Sequence, residues 1–384
     1  MTAVRVAGSS ELGTILLEDA HIGGQLDVSN AVITNSAGPA LDADGLRVDD
    51  NLSLEHVRAT GTGELGAVRL PGAHIGGQLD VSNAVLRNGT GPALNADGLR
   101  VDSGLYLEHV RATGTGELGA VRLPGAHIGG QLSWTDTRII NAAGHRIDLQ
   151  EAQVEGALYF PTVVVCPEPW GRSCHWSRTI DLNDFTFGSL AELNWAQWLH
   201  LIRFHSPCYS PSPYQQLAGV ERAAGHDNNA RRILIAQQQD LHRRTPEAIG
   251  GRFTREFHRL WGALAGYGYR ARRTAAALLF ALIAAGGLGL GAGHVTDGGH
   301  HTAERTASFS SAVGQPCSTV ELIGLGLDRG LPLSPTGVRA RCDLNTDTDW
   351  GGMFTVAIWI VQAAVWGLAT LALAGYTGLV RKIS

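Results

Sequence analysis

The sequence predicts a mainly β fold: a right-handed parallel β-helix, followed by an αα-hairpin and a two-helix transmembrane region. Three observations support this prediction. Short motifs recur with a constant period of 53 residues, apolar residues alternate with polar ones between frequent Gly, Asn and Asp, and two long segments near the C-terminus carry no charge. Alternation with a period of two is typical of strands, and a fixed period indicates stacked repeat units.

The β-helix is assigned to residues 1–205. The motif AHIGGQL begins at Ala20, Ala73 and Ala126, and the motif AL(D/N)ADGLRVD begins at Ala40 and Ala93. Each 53-residue unit splits into two similar halves, and each half is predicted to form about one turn of a coil. Six or seven coils would then cover residues 14–205. The sequence begins inside a coil at Met1, so we expect the first coil to be incomplete or the rod to be shortened.

The stretch GTGELG occurs at Gly61–Gly66 and at Gly114–Gly119, with the G-x-G-x-x-G spacing of a dinucleotide-binding loop. In such a loop the third glycine opens a helix whose N-terminus binds pyrophosphate. Here the residues that follow the first copy include Pro71, Gly72 and Gly76, which break a helix. We therefore predict a corner of the repeat instead of a cofactor loop.

Residues 211–245 predict an αα-hairpin. Tyr214, Leu217 and Val220 have helical spacing, the pattern breaks at residues 225–227, and it then resumes. A single hairpin cannot form a binding groove alone. We expect it to cap the C-terminal end of the rod, where it covers strand edges that would otherwise pair with other chains.

Residues 252–269 predict a basic amphipathic helix. Its apolar residues Phe253, Phe257, Leu260, Trp261 and Leu264 share one helical face, and its arginines lie elsewhere. This pattern suits the headgroup layer of a membrane. The alternative is a helix docked on the β-helix.

Two segments, 274–292 and 353–380, predict transmembrane helices. The first lies in nineteen uncharged residues that begin at Ala275, and the second lies in thirty uncharged residues from Gly351 to Val380. About twenty apolar residues suffice to span a bilayer. We expect a two-pass protein of the cell membrane, with the bilayer as a partner.

The basic residues predict the orientation of these spans. Arg270, Arg272 and Arg273 precede the first span, and Arg381 and Lys382 follow the second. The positive-inside rule places both termini in the cytoplasm. Residues 293–350 then form an extracellular loop, where disulfides persist. Cys317 and Cys342 are its only cysteines, so we predict that they pair; two unpaired thiols are the alternative.

Small residues in the spans indicate close helix packing. Gly287 and Gly291 form a G-x-x-x-G pair, and Ala363 and Gly367 share that spacing. Packing within one hairpin and assembly of a homo-oligomer both fit this pattern, and the sequence does not decide between them.

Cysteine and histidine residues gather where the repeat decays. A cytoplasmic zinc site formed by Cys166, Cys174, His205 and Cys208 is one hypothesis, because His205 and Cys208 have chelate-like spacing. The spacing of Cys166 and Cys174 is not a common zinc-binding pattern. Structural residues in an irregular last coil are therefore the favoured interpretation, and we expect no cofactor.

Three histidines, His21, His74 and His127, recur in phase with the repeat. They would stack along one side of the rod. We interpret them as surface or corner residues inherited with the repeat, and not as a metal-binding ladder. The aspartates that recur in phase form no cluster unique to one coil, so the repeat shows no catalytic site.

Four stretches carry a resemblance to a known family: LPGAHIGGQLDVSNA, PYQQLAGVERAAGHDNNARRILIAQQQ, GYGYR and LAGYTGLVRK. With them the chain resembles a family of actinobacterial membrane proteins that combine an N-terminal pentapeptide-like β-helix with a C-terminal helical hairpin in the membrane. Members are often labelled membrane-associated oxidoreductase, and the resemblance implies that label here. The residues themselves provide no dinucleotide fold, no flavin or haem motif and no C-x-x-C.

Composition narrows the classes of function. The net charge is −5 and Lys382 is the only lysine, so we expect no nucleic-acid partner. The first hypothesis is a membrane-anchored cytoplasmic scaffold that binds a protein partner. A membrane-associated oxidoreductase, from the resemblance alone, and a small oligomeric pore built from the glycine-rich spans are the alternatives.

Overall fold

The computed structural model describes residues 4–117, 119–141, 144–160, 180–265, 271–297, 300–306, 315–331 and 337–377. The chain divides into two compact units, Met1–Thr245 and Pro246–Ser384. The first unit is a parallel β-solenoid of about six turns with three helices, and the second unit is mainly helical. The predicted fold class is therefore confirmed.

Each coil of the solenoid consists of four short strands, numbered here in chain order. The first strands form face A: β1 (Arg5–Gly8), β5 (Val32–Asn35), β9 (Arg58–Gly61), β13 (Val85–Asn88), β17 (Arg111–Gly114) and β21 (Arg138–Asn141). The second strands form face B: β2 (Ile15–Leu16), β6 (Leu41–Asp42), β10 (Val68–Arg69), β14 (Leu94–Asn95), β18 (Val121–Arg122), β22 (Ile147–Asp148) and β24 (Ile180–Asp181).

The third and fourth strands complete each coil. Face C consists of β3 (His21–Ile22), β7 (Arg47–Val48), β11 (His74–Ile75), β15 (Arg100–Val101) and β19 (His127–Ile128). Face D consists of β4 (Leu26–Asp27), β8 (Leu52–Ser53), β12 (Leu79–Asp80), β16 (Leu105–Tyr106) and β20 (Leu132–Ser133). The longer strand β23 (Gln153–Tyr159) pairs with both faces and also with β25 (Thr186–Ala191). Neighbouring strands of the solenoid are parallel throughout these ladders.

The 53-residue period arises from two coils of unequal length. Arg58 pairs with Val85 and Val85 pairs with Arg111, so successive coils contain 27 and 26 residues. The difference lies in the loop between the first two strands, which spans five residues, 36–40, after β5 and six residues, 62–67, after β9. The stretch Gly61–Gly66 is thus the longer corner, with no helix in it.

A buried asparagine closes the shorter corner. Asn88 donates from Nδ2 to the carbonyl oxygens of Gly63 at 2.7 Å and Pro92 at 2.8 Å, and its Oδ1 accepts from the Thr90 amide at 3.1 Å. Gly61 is its register partner in the neighbouring coil. A Cβ on Gly61 would lie 3.0 Å from a backbone carbonyl oxygen, so the chain alternates asparagine with glycine at this position.

Residues with left-handed backbone form the other corners. In the first coil Asp19 has a φ of 52°, and the amide of Ala20 donates to the Leu17 carbonyl at 3.1 Å. A positive φ at this position is the requirement of a type II turn. Glycine or a short polar residue tolerates it best, and Gly98 serves the same role with a φ of 64°.

The core is a stack of aliphatic side chains that repeats from coil to coil. Leu79, Leu105 and Leu132 lie in register on face D and are at most 1% exposed. Each such leucine contributes about 1.5–3 kcal/mol through removal of its side chain from water. Alternating inward positions on β9 and β17 are equally buried, which explains the period-two pattern of the sequence.

An aromatic cluster and a helix end the solenoid. Helix α1 (Trp195–His205) follows β25 and begins with a capping box between Asn194 and Gln197. Trp198 on α1 packs with its ring centroid 5.4 Å from that of Phe160 and 5.5 Å from that of Phe187. The predicted extension of the β-helix to residue 205 is therefore wrong. Residues Trp195–His205 form helix α1 instead, which buries one face against the final coils.

The predicted hairpin at 211–245 is present as α2 (Ser212–Ala223) and α3 (Asp227–Arg244). Helix α2 contacts the last coil directly: Gln216 Nε2 donates to the carbonyl oxygen of Phe187 at 2.6 Å, and Ser212 Oγ accepts from the Asp184 amide at 2.9 Å. These bonds satisfy backbone groups at the edge of the solenoid, as expected for a cap.

The second unit contains the two apolar helices. After a 3-10 turn (Pro246–Ile249) come α4 (Arg252–Ala265), α5 (Ala271–His294), the strand pair β26 (Thr296–Asp297) and β27 (His300–His301), β28 (Ala303–Arg305), α6 (Thr319–Gly330), a 3-10 turn (Val338–Ala340), β29 (Cys342–Leu344) and α7 (Asp349–Thr377). Within these, Arg273–His294 and Asp349–Leu373 are long and apolar enough to span a membrane. Only 22% and 11% of their most apolar windows are buried, which is unlike a core helix of a soluble protein.

The segment between these two helices is more than the loop predicted for 293–350. Helix α6 packs on α5 with backbones so close that a Cβ on Gly326 would overlap the Ala285 carbonyl oxygen, and one on Gly289 would overlap that of Leu322. Small residues permit such contacts between apolar helices. The glycine pattern of α5 therefore supports packing within the chain, through Gly289.

We predict that Asn88→Ala destabilises the solenoid by about 1–3 kcal/mol. It leaves the Thr90 amide without its acceptor and removes one of two hydrogen bonds from the carbonyl oxygens of Gly63 and Pro92, which still accept from backbone amides. The full chain in detergent should unfold at a lower temperature, measured by far-ultraviolet circular dichroism. Thr113→Ala is the matched control, since Thr113 is exposed on face A. Equal unfolding temperatures for the two variants would contradict the role of the buried asparagine.

Candidate functional site

A cavity of about 310 Å³ lies between the last coil and the helical hairpin, inside the first unit. It is lined by Gln150, Asp181, Leu182, Asn183, Ile202, Ser206, Cys208, Tyr209, Ser210, Pro213, Tyr214 and Arg244. The solenoid supplies one wall, through the corner after β24. Helix α1, the segment after it, and the hairpin supply the other walls.

Behind this cavity a buried carboxylate joins the three helices. Asp240 accepts two hydrogen bonds from Arg203, at 2.7 and 2.9 Å, and one from the Tyr214 hydroxyl at 2.8 Å. Burial is the main cause that raises the pKa of Tyr214 above its ordinary value, and the Asp240 charge adds to it. The Tyr214 phenol therefore stays protonated as a donor, which suits a structural link better than proton transfer.

Two polar groups at the cavity keep hydrogen-bonding capacity. Arg244 Nη2 donates to the Ser206 carbonyl at 2.9 Å. Arg244 Nη1 and the Ser206 hydroxyl are buried and have no partner among the residues that the structure describes. Because these two atoms are inaccessible to solvent, they are not open to a molecule in the cavity in this conformation.

The structure describes two of the four residues of the zinc hypothesis. His205 is fully buried at the end of α1, whereas Cys208 is exposed and lines the cavity. Cys166 and Cys174 lie outside the described residues. Within the described ranges, no three His, Cys, Asp or Glu side chains form a group that could hold a metal ion. The zinc site therefore stays a prediction, without support from the two members that can be placed.

The three repeated histidines each contact a carboxylate of the next coil. Their Nε2 atoms lie 2.8 Å from Asp49 for His21, 3.1 Å from Asp102 for His74, and 3.3 Å from Glu155 for His127. The His74 hydrogen bond is the main cause that lowers the pKa of Asp102. These pairs tie neighbouring coils together. A linear sequence does not reveal them, because the partners are 28 residues apart.

Two arginines on face B form ion pairs with aspartates. Arg69 contacts Asp42 and lies 3.1 Å from Asp44, and Arg122 lies 3.2 Å from Asp97 and 3.6 Å from Asp148. Burial raises the pKa of Asp97 and of Asp148, and Arg122 opposes that shift in both. The charges on this face therefore neutralise one another inside the protein.

In the second unit, Cys317 and Cys342 form a disulfide with their Cα atoms 6.1 Å apart. Of the small residues proposed for oligomer contacts, Gly287, Ala363 and Gly367 are exposed, and Gly291 lies beside Phe354. Open space at Gly287 and Gly367 leaves room for another helix, but nothing in the described residues identifies one. A homo-oligomer through these positions stays a prediction.

Comparison with known proteins adds no identification: no family model, no curated protein and no solved structure matches this chain. The resemblance to actinobacterial membrane proteins therefore stays a prediction. The functional argument rests on the geometry of the faces, the cap and the apolar helices.

Two carboxylates should respond to pH with opposite signs. A raised pKa means that ionised Asp148 costs the folded state stability at neutral pH, and this cost disappears below about pH 4, where the unfolded chain is also protonated. A lowered pKa means that Asp102 stabilises the fold at neutral pH, and this contribution is lost as the pH falls through its folded pKa.

We therefore predict that Asp148→Asn raises the unfolding temperature at pH 7 and that Asp102→Asn lowers it. Both differences from the natural protein should shrink toward acidic pH. Unfolding curves of the full chain between neutral and acidic pH, followed by circular dichroism, measure these differences. A stability loss for Asp148→Asn at pH 7 would show that its pairing with Arg122 outweighs burial.

Proposed function

We propose that this protein is a membrane-anchored scaffold whose solenoid presents regular faces to a protein partner. The observation that carries the proposal is the combination, in one chain, of a solenoid with uniform ladders and two helices long enough to span a bilayer. Solenoids bind partners through their long surfaces, since their core is filled and each coil contacts mainly its neighbours.

The ladders support a binding role over a catalytic one. On faces B and C, Arg69 and Arg122, or His74 and His127, occupy equivalent positions two coils apart, and each has an acidic partner. A catalytic centre needs a group of residues whose environments differ from those of their repeats. The cap cavity lies outside the repeat, and the buried carboxylate behind it, Asp240, is held by Arg203 and Tyr214 in a structural network.

The location follows from the same features. We place the protein in the cell membrane with both termini in the cytoplasm, on the basis of the arginines beside the two apolar helices. The solenoid would then face the cytoplasm, and the disulfide between Cys317 and Cys342 would lie outside, where oxidising conditions preserve it. The oxidoreductase alternative rests on the family resemblance. The alternative of a small oligomeric pore rests on the glycine-rich composition of the spans.

Anchoring can be tested by placing arginines on the exposed side of α5. Phe280 and Ile283 are 74% and 63% exposed, as expected of lipid-facing residues. Two arginines at the centre of a span oppose insertion by about 5–7 kcal/mol. Because α7 could anchor the chain alone, the test variant and its control are both made in a chain that also carries Trp359→Arg and Ile360→Arg, at residues 61% and 66% exposed on α7. In that chain, we predict that Phe280→Arg combined with Ile283→Arg releases the protein from membranes into the soluble fraction after an alkaline wash.

The matched control combines Leu12→Arg with Leu65→Arg. These residues are 70% and 61% exposed on the solenoid. The control therefore adds the same two charges at similarly exposed apolar residues, but outside the spans. This control should stay with the membranes. Retention of both variants would contradict anchoring through α5.

Partner binding can be tested by capture of the full chain from native membranes. The control is Leu105→Asp with Val110→Asp, which places two charges in the solenoid core, where both residues are 1% exposed. We predict a partner recovered in a fixed ratio with the natural protein and lost with the control. The absence of any protein enriched over the control would contradict the scaffold.

A further inference from the structure

Face A differs from the other faces because its arginines have no acidic partner. Its outward positions hold five of them: Arg5, Arg58, Arg87, Arg111 and Arg138. The remaining outward positions are Ala, Val, Thr or Ile, and no acidic residue is among them. None of the five arginines forms an ion pair or side-chain hydrogen bond that involves another described residue.

On faces B and C most of the outward arginines have acidic partners, and Arg47 on face C is the exception among the described residues. Arg69 and Arg122 on face B each contact two aspartates, and Arg100 on face C lies 3.4 Å from Asp102. The unpaired arginines of face A are therefore not a general property of this surface.

The arrangement on face A also places like charges together. Arg111 and Arg138 are direct register partners on neighbouring strands, where strands are about 4.8 Å apart. Like charges directly opposite each other destabilise a sheet. An external anion that bridges them would remove this repulsion.

Acidic residues occur in the corners beside face A, and two of them have partners. Glu55 lies 3.3 Å from His56, and Asp136 lies 3.6 Å from His109. Glu64 and Glu117 occupy the corner loops on the other side of the face, and no described arginine of face A pairs with them. The plane of the sheet itself stays positive.

We propose that face A binds the anionic lipid headgroups of the membrane to which the chain is anchored. Short parallel strands stacked in register form an extended sheet, which suits a planar surface, and arginine is well matched to phosphate. The proposal rests on the proposed anchoring, because the spans keep the solenoid within reach of the bilayer at high effective concentration. A net charge of −5 disfavours a nucleic acid as the anion.

The test uses the full chain reconstituted in nanodiscs of phosphatidylcholine, alone or mixed with phosphatidylglycerol. A fluorophore is placed on face A by Thr60→Cys, in a chain that carries Cys166→Ser, Cys174→Ser and Cys208→Ser. A lipid with a nitroxide on its headgroup quenches the fluorophore when face A lies on the membrane. We expect quenching that requires phosphatidylglycerol and weakens with added salt.

The decisive comparison uses two pairs of substitutions with equal charge change and equal spacing along the chain. Arg58→Gln with Arg111→Gln removes two arginines from face A, and Arg47→Gln with Arg100→Gln removes two from face C. Each arginine near an anionic surface contributes about fivefold to binding, so the face A pair should lower the ratio of docked to undocked solenoid roughly 25-fold. The face C pair should leave quenching unchanged.

Arg58→Lys with Arg111→Lys keeps the charge and should retain quenching, which separates loss of binding from loss of fold. Quenching that is the same in pure phosphatidylcholine, or that both glutamine pairs reduce equally, would overturn the proposal. Failure of the protein to enter nanodiscs would instead count against the anchoring on which the proposed function depends.

Discussion

The whole solenoid depends on backbone hydrogen bonds between successive coils in constant register. Each short strand pairs with the same strand of the next coil, as Leu79 does with Leu105 and Leu105 with Leu132. Each coil must bring the chain back to the same register with the coil before it. A slip of one residue would turn the core-facing side chains toward solvent. The corners must therefore fix the length of each coil, and the alternation of Asn88 with Gly61 does so.

A fixed register also determines what the surface can do. Outward side chains stack in columns, so a charged residue that recurs in the sequence forms a line of charges along the solenoid. Successive charges in this line are one or two strand spacings apart. On faces B and C many of these charges have a partner of opposite sign within the solenoid, as Arg69 has in Asp42. On face A they are positive and unpaired. Together with two apolar helices in the same chain, this asymmetry supports a scaffold that is held at a membrane and oriented by one of its faces.

The sequence predicted the features that repetition makes visible, and missed those that depend on single contacts. The 53-residue period and the alternation of apolar residues are sufficient to predict the parallel β-solenoid, and Pro71 and the glycines after the first GTGELG predict a corner there. Helix α1 was missed because it follows the decaying repeat directly, although the Asn194 and Gln197 capping box signals it. Helix α6 was missed because its small size and glycines resemble a loop. The carboxylate partners of the histidines and arginines lie one coil away, and only the register identifies them.

The most direct test of this account measures the register itself by disulfide crosslinking. Thr60 and Arg87 are register partners on β9 and β13, with a strand spacing within the range that a disulfide can bridge. Thr60→Cys with Arg87→Cys, in a chain whose other unpaired cysteines are serine, should form an intramolecular disulfide under mild oxidation. Thr60→Cys with Thr113→Cys, two coils apart, should not. Equal crosslinking of both pairs, or of neither, would contradict the stacked coils on which every face depends.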